Sequence, residues 1–200
     1  MSIIPRALSV SPRNSELSEA DLPPASPFFE PGLSVYKAGD AIEMRPFNEH
    51  QMRVNFGEVE LVNNWFQKLL TETHPGRSVR KDTIERSLDS DSAFFVVCQG
   101  KYLGYARLIP QTENSADLAI YLFKSSTGKG LGTKVMELIE KKAKEREYSD
   151  LYAKIEPGNL GSIGFFKKQG FEFVRDGYVA IGKNRPEMLS IKLYHKKIGN

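Results

Sequence analysis

The chain has 200 residues, of which 40% are hydrophobic and 26% are charged, and its formal net charge is +3. This is the composition of a globular protein, and the small positive charge suits an anionic ligand but is too weak to indicate nucleic-acid binding. The single cysteine, Cys98, excludes a disulfide framework within the chain and fits a reducing compartment. We see no secretory signal pattern and no apolar run near the ~20 residues that cross a bilayer, so we expect a cytoplasmic protein with neither nucleic-acid nor membrane partners.

The N-terminal segment is rich in serine and proline, with six prolines among the first 31 residues. Proline removes a backbone donor and blocks regular helix, and such compositions do not bury enough apolar surface to fold. We therefore predict a flexible tail over residues 1–35 and one folded domain over residues 36–200.

The first half of that domain predicts a strand, two helices and three strands. Residues 40–47 form a short strand pattern that stops near Pro46, and helical spacing of apolar residues follows over residues 57–72. A short second helix is expected at residues 80–90. Two β-rich runs within residues 92–110 flank Gln99-Gly100-Lys101, which indicates a hairpin, and residues 116–123 alternate as a third strand.

The second half adds a helix, a strand, a helix and two strands. An amphipathic helix is predicted from about residue 130 to residue 146, and a strand ends before Pro157. A short helix then closes at Gly170, a typical C-terminal glycine, and two strand patterns complete the chain. The order of elements predicts a single mixed α/β domain.

Three glycines at alternate positions, Gly128, Gly130 and Gly132, lie between a predicted strand and a predicted helix. Glycine lets the backbone turn tightly, and the first amides of a helix have no intrahelical acceptor, so this arrangement suits a phosphate. The neighbouring Lys129 and Lys134 add positive charge. The spacing fits neither the nucleotide-triphosphate loop, G-x-x-x-x-G-K-[ST], nor the dinucleotide fingerprint, G-x-G-x-x-G.

The glycine segment, LFKSSTGKGLGTKVMELI, resembles the coenzyme A loop of the GNAT superfamily of N-acetyltransferases, whose pattern is (Q/R)-x-x-G-x-(G/A). Gly130 and Gly132 match two of the three fixed positions, and Thr127 departs from the first. A downstream segment, IEPGNLGSIGFFKKQGFEFV, resembles the second motif of the family. The matching positions are Asn159, Ser162, Ile163, Phe166, Gly170 and Phe171.

This resemblance covers roughly the last 160 residues and implies the GNAT fold, a central mixed, mostly antiparallel sheet flanked by helices. It implies acetyl-CoA as co-substrate and transfer of an acetyl group to a primary amine by direct attack in a ternary complex. Separately, no spacing of Cys, His and Asp in the sequence suggests a metal site, so we expect no metal. Backbone amides of the loop would cradle the pyrophosphate, and the edge of the preceding strand would pair with pantetheine. The residues implied in cofactor binding are Leu122, Lys124, Thr127, Gly128, Lys129, Gly130, Leu131, Gly132, Thr133, Asn159, Ser162 and Phe166.

The catalytic residues are less defined, because many family members place a tyrosine acid where this sequence has Phe166. Tyr121, Tyr152 and solvent are the alternatives for the acid. Asp117, Tyr121 and Glu156 are candidates for the base, and Tyr121 and Glu156 are favoured.

The three histidines are scattered in the sequence and away from both motifs, so we expect no catalytic or metal-binding role for them. They are His50, His74 and His195.

Two other classes of function stay open. Thr127 and Phe166 would suit a non-catalytic acyl-CoA-binding or regulatory domain, and the tail would suit an interaction protein. The acceptor is either a small-molecule amine or a protein amine, and the protein is expected to be a monomer or a homodimer.

Overall fold

The computed structural model describes residues 37–47, 59–74, 91–181 and 187–199. The predicted tail, His50 and the short helix predicted at residues 80–90 lie outside these ranges.

The described residues form one seven-stranded sheet in the order β1-β2-β3-β4-β5-β7-β6. Every neighbouring pair is antiparallel except β4 and β5, which run parallel. This confirms the predicted mixed, mostly antiparallel sheet. The strands are β1 (Glu43–Pro46), β2 (Ala93–Cys98), β3 (Lys101–Thr112), β4 (Ser115–Leu122), β5 (Asp150–Ile155), β6 (Glu172–Ile181) and β7 (Glu187–Lys197).

Helices cover both faces of the sheet. The three helices of the described residues are α1 (Val59–Thr73), α2 (Leu131–Glu145) and α3 (Leu160–Lys168). On one face α1 buries Trp65 and Leu69 against the sheet, and on the other α2 buries Val135 and Ile139. Because strand side chains alternate between faces, β2 is buried along its whole length and contributes to both cores.

The β2–β3 hairpin confirms the turn expected from the Gln-Gly pair. Gln99 and Gly100 both have positive φ, 49° and 76°, which is the backbone of a tight two-residue hairpin turn. β4 also alternates as predicted, since Leu118 packs in the core under α2, whereas Tyr121 and Phe123 pack on the α1 side.

The parallel strands β4 and β5 separate before they end. Their paired register runs from Ser115 and Asp150 to Leu118 and Ala153. β4 then continues to Leu122 and β5 to Ile155 without pairing to each other. The sheet therefore opens between the two strand ends, and this opening positions the candidate site.

Candidate functional site

A cleft of about 620 Å³ lies at the end of β4. Its walls come from the C-terminal turn of α1, the end of β4, the glycine loop, the start of α2, and α3. We call this cavity the loop cleft. It brings the two sequence motifs, which are separated by β5 in the chain, to one place.

The three glycines of the loop serve two different physical needs. Gly128 and Gly130 have φ of 74° and 81°, and a Cβ at either would meet no atom within 4 Å. These two glycines are therefore required by backbone conformation, because L-residues with a side chain rarely adopt positive φ. Gly132 is helical, but a Cβ there would lie 2.9 Å from Cε2 of Phe165, so a side chain at this position would have to displace the Phe165 ring of α3.

The start of α2 presents unpaired backbone donors. Gly130 is the residue before the helix, and its carbonyl accepts from Lys134 N at 3.2 Å. The amides of Leu131, Gly132 and Thr133 precede that first bond, so they have no acceptor within the helix. They lie at the positive end of the helix dipole, which favours an anion.

Hydrogen bonds anchor the loop from both sides. Glu72 Oε2, on α1, accepts from Lys124 N at 3.0 Å, and Thr127 Oγ1 donates to Lys124 O at 2.8 Å. At the start of α3, Asn159 Oδ1 accepts from Ser162 N at 3.0 Å and caps the helix. The loop and α3 thus reach the cleft as fixed elements.

Most of the predicted cofactor-binding residues line the loop cleft. Ten do so, namely Leu122, Lys124, Thr127, Gly128, Gly130, Gly132, Thr133, Asn159, Ser162 and Phe166. The side chains of the other two do not. Leu131 is 1% exposed in the core under α2, and Lys129 Nζ donates to Ser125 O at 3.3 Å. At Leu131 the backbone amide, rather than the side chain, is the group available to a ligand.

Several lining residues were not found by sequence reasoning. They are Glu72, Thr73, His74, Ile120, Gly161, Phe165 and Lys168. Lys168 adds positive charge to the cleft beside Lys124. It lies within the segment of the second motif, so a count of cations in that segment was the one signal that could have found it.

A second cavity of about 190 Å³ lies where β4 and β5 diverge, and we call it the strand cleft. Tyr121 and Glu156 line it, and Val179, Leu189 and Ile191 form an apolar wall from β6 and β7. It shares lining residues with the loop cleft, so the two cavities adjoin. The shared residues are His74, Ile120, Asn159, Ser162 and Phe166.

His74 lies at this junction, and the expectation that no histidine is near a motif is wrong for it. Its Nε2 is 3.8 Å from Glu156 Oε1, and its ring centroid is 5.4 Å from that of Tyr121. Tertiary packing explains this proximity, because the last turn of α1 ends beside β4. No local sequence pattern reports that packing.

The other candidates, Asp117 and Tyr152, do not line either cleft. Asp117 forms an ion pair with Lys154, which itself lines the strand cleft. Tyr152 packs its ring 4.9 Å from that of His195, whose Nε2 is 2.6 Å from Asp150 Oδ1 at the opposite end of β5.

The carboxyl group of Asp150 is held in its charged form. Ser149 Oγ donates to its Oδ2 at 2.6 Å. Together with the hydrogen bond to His195, this lowers the pKa of Asp150 below its usual range. The group is therefore a structural clamp between β5 and β7.

The described ranges lack two features. Among the described residues, no group of three or more His, Cys, Asp or Glu side chains is arranged to hold a metal ion. In the same ranges, no helix is long and apolar enough to cross a membrane.

The mostly antiparallel sheet and the glycine loop before α2 agree with the fold that the two motifs imply. The sequence model of the acetyltransferase (GNAT) family matches residues 59–171, which is more than half of the chain. The chain therefore belongs to the GNAT acetyltransferase family.

Comparison with individual proteins gives more distant matches. An L-methionine sulfoximine/L-methionine sulfone acetyltransferase from Pseudomonas aeruginosa is 31% identical over 78 residues. That match covers 36% of this chain and spans only 45% of the relative's length.

Two solved structures share the fold at low sequence identity. A ribosomal-protein-alanine N-acetyltransferase from Brucella melitensis has a TM-score of 0.58 at 20% identity, covering 79% of this chain and 99% of that one. A GNAT family acetyltransferase from Elizabethkingia anophelis with acetyl-CoA bound has a TM-score of 0.52 at 18% identity, covering 66% of this chain and 89% of that one.

Proposed function

We propose that this protein is an acetyl-CoA-dependent N-acetyltransferase that transfers the acetyl group to a primary amine by direct attack in a ternary complex. The observation that carries the proposal is the junction of the two clefts. The start of α2, which favours an anion, lies at the loop cleft. The strand cleft adjoins the loop cleft, and Ile120 and Phe166 line both cavities. Cofactor and acceptor can therefore meet without a covalent enzyme intermediate.

In this proposal acetyl-CoA fills the loop cleft. The amides from Gly128 to Thr133 hold the pyrophosphate, including those of Lys129, Leu131 and Gly132, with Lys124 and Lys168 nearby. The edge of β4 facing β5 is unpaired after Leu118, so pantetheine can add there as a strand. Bound acetyl-CoA in the Elizabethkingia anophelis relative supports the same choice of co-substrate.

The amine is proposed to enter the strand cleft. Asn159 and Ser162 would contact the pantetheine arm, and Phe166 would flank the thioester. Glu156 would bind the acceptor's ammonium and take its proton as the base. The Tyr121 hydroxyl would protonate the departing thiolate, since Phe166 has no proton to give. Alignment of amine and thioester supplies much of the acceleration.

The acceptor itself is proposed only as a class, a primary amine. The strand cleft is small and has an apolar wall, which suits an amine on a few carbon atoms or the end of a longer chain. One relative is named for a free amino-acid analogue and another for a ribosomal protein alanine. A panel should therefore contain L-methionine sulfone, a peptide with an N-terminal alanine and a peptide with an internal lysine.

A non-catalytic acyl-CoA-binding domain is the second candidate, and one observation favours it. Phe166 occupies the position of the family's tyrosine acid and is 6% exposed, so its ring lies packed in the core. Such a domain would bind acetyl-CoA without turnover.

Turnover on the panel separates the two functions. We would incubate the protein with acetyl-CoA and each amine, follow free thiol, and identify the acetylated product by mass spectrometry. Thiol release that depends on one amine supports the enzyme. Acetyl-CoA binding with no product from any amine supports the second candidate.

We also propose that residues 36–200 carry the acetyl-CoA chemistry. Deletion of residues 1–35 is then expected to leave the rate of thiol release unchanged. A loss of that rate would contradict this division of the chain.

A further inference from the structure

The wall of the strand cleft contains a cation. Lys154 lies on β5, and it is the only lysine or arginine among the described residues that line this cavity. Its ammonium donates to the Asp117 carboxylate on β4. The paired register of the two strands ends at Leu118 and Ala153. The Lys154 side chain therefore crosses towards β4 where the strands begin to diverge, and it places a positive charge beside the opening between them.

The two partners of this ion pair differ in their exposure. The Asp117 side chain is 14% exposed, whereas that of Lys154 is 40% exposed. Among the described residues, Asp117 is the one hydrogen-bond partner of Lys154 Nζ. An ammonium has three N–H donors, so one carboxylate partner directs the long side chain and leaves donors for a ligand in the cavity.

A second cation lies on the same face of the sheet. Arg107 on β3 is the register partner of Ala119 on β4. Ala119 lies two residues before Tyr121, which packs on the α1 side, so Ala119 and its partner Arg107 point to that side as well. Arg107 Nε is buried and has no hydrogen-bond partner among the described residues. A buried donor without an acceptor is costly, and an anion beside it would remove that cost.

Ala119 separates the two cations and lines the strand cleft. The three residues occupy adjacent strands, with Arg107 on β3 and Lys154 on β5. Because neighbouring strands are about 4.8 Å apart, two long cationic side chains flank the space above a single methyl group. With Asp117 included, two cations face one carboxylate, which leaves a net positive charge. The space above Ala119 therefore favours an anion.

The next position along β5 on this face carries the opposite charge. Glu156 comes two residues after Lys154 and lines the same cavity, and the proposed function places the acceptor's ammonium beside it. Two residues of a strand span roughly 7 Å. A hydrogen bond of about 2.8 Å at each end of that span leaves room for a molecule whose amine and carboxylate are separated by one or a few carbon atoms.

We propose that the acceptor is a free amino acid, whose carboxylate is bound by Lys154 together with Arg107. Asp117 is the positioning residue that directs the Lys154 ammonium. The apolar wall from β6 and β7 contacts an apolar side chain of the amino acid. A peptide presents a neutral amide in place of the carboxylate, and hydrogen bonds to a neutral group are weaker. This inference rests on the proposed function and adds to it the second charged group of the acceptor.

A binding measurement tests the class of acceptor without turnover. The full-length protein is mixed with the free proteinogenic amino acids, with and without coenzyme A, and bound ligands are detected by saturation-transfer nuclear magnetic resonance. Calorimetry then compares each bound amino acid with its amide. We expect at least one apolar amino acid to bind, and its amide to bind ~10-fold or more weakly. The inference is overturned if no free amino acid binds, or if amides bind equally well.

Substitution of the two cations tests the assignment of the carboxylate. Lys154→Met removes the charge and keeps most of the length of the side chain. It should weaken binding of the free amino acid ~10- to ~150-fold, as expected for a lost hydrogen bond between charged groups, and binding of the amide by less than ~3-fold. Arg107→Lys keeps the charge but removes Nε, and should weaken amino-acid binding ~5-fold or more. Equal effects of Lys154→Met on both ligands would mean that the ion pair with Asp117 only joins the strands.

Lys192→Met is the matched control. The Lys192 side chain is 32% exposed and forms an ion pair across strands with Asp176 at 2.8 Å. Its neighbour Ile191 lines the strand cleft, so Lys192 points to the other face of the sheet. The control variant therefore loses a similar ion pair outside the cavity and should bind both ligands as the wild type does. Urea unfolding verifies that all variants are folded.

Titration with acetyl-CoA keeps the two proposals apart. Absence of acetyl-CoA binding would contradict the proposed function, whereas amino-acid binding is measured separately. Acetylation of a peptide or of an amine without a carboxylate, with no free amino acid bound or acetylated, would support the proposed function and overturn this inference.

Discussion

Replacement of Gly130 by asparagine or aspartate separates the shape of the loop from its charge. Both residues tolerate positive φ better than other side chains do, and a Cβ at Gly130 meets no atom within 4 Å. The two variants therefore carry a similar conformational cost. They differ in one negative charge, placed at the start of α2.

That charge should act in opposite directions on folding and on binding. Without ligand, an aspartate at a helix N-terminus is stabilising by about 0.3–1 kcal/mol relative to asparagine. With acetyl-CoA bound, the carboxylate would repel the phosphate, and two unit charges separated by about 5 Å repel each other by about 1–3 kcal/mol for effective dielectric constants between about 80 and 20. The aspartate variant should thus bind ~5- to ~150-fold more weakly than the asparagine variant while being no less stable.

Two measurements on the same pair check this. Urea unfolding gives the free energy of unfolding, and isothermal titration calorimetry gives the dissociation constant of acetyl-CoA. The affinity gap should shrink at high salt, because salt screens the repulsion. Equal affinity of two folded variants would refute the assignment of the anion to this helix start.

Three further changes test the packing and the electrostatics. Gly132→Ala should lower the free energy of unfolding, measured with urea, by between zero and about 2 kcal/mol, because the Phe165 ring must move from a 2.9 Å contact while the helix gains propensity. A clear gain in stability would contradict the contact. Ile139→Ala, at a fully buried position, should cost about 2–5 kcal/mol in the same assay. Asp150→Asn should reduce the loss of stability as the pH falls. Because folding lowers the pKa of Asp150, the carboxylate stabilises the fold above its unfolded pKa of about 3.9, and this stabilisation is lost as the pH falls through its folded pKa. Urea midpoints from neutral pH down to acid pH should therefore fall more steeply in wild type than in the variant, and parallel curves would count against the clamp.

Much of the fold follows from short-range patterns. The continuous apolar run of β2, the alternation in β4, the hairpin turn at Gln99 and Gly100, and the helical spacing of apolar residues in α2 each depend on neighbours in the chain. These features were therefore predictable from residue type and spacing. The glycine loop was predictable for the same reason, because backbone conformation and helix-terminal amides are local properties.

The parts that were missed depend on contacts between distant residues. Glu72 reaches the backbone of Lys124 across 52 positions of sequence, and the same turn of α1 delivers His74 to Glu156. The insertion of β7 between β5 and β6 likewise follows from tertiary pairing. Because no local pattern encodes such approaches, the junction of the two clefts could be described only from the structure.

The central claim is that the loop cleft binds acetyl-CoA, and calorimetric titration of the full chain with acetyl-CoA tests it most directly. The account predicts saturable binding at one site per chain, weakened by Gly130→Asp far more than by Gly130→Asn. Absence of binding by the folded wild-type protein would contradict it, and would mean that the three glycines form a turn without a ligand.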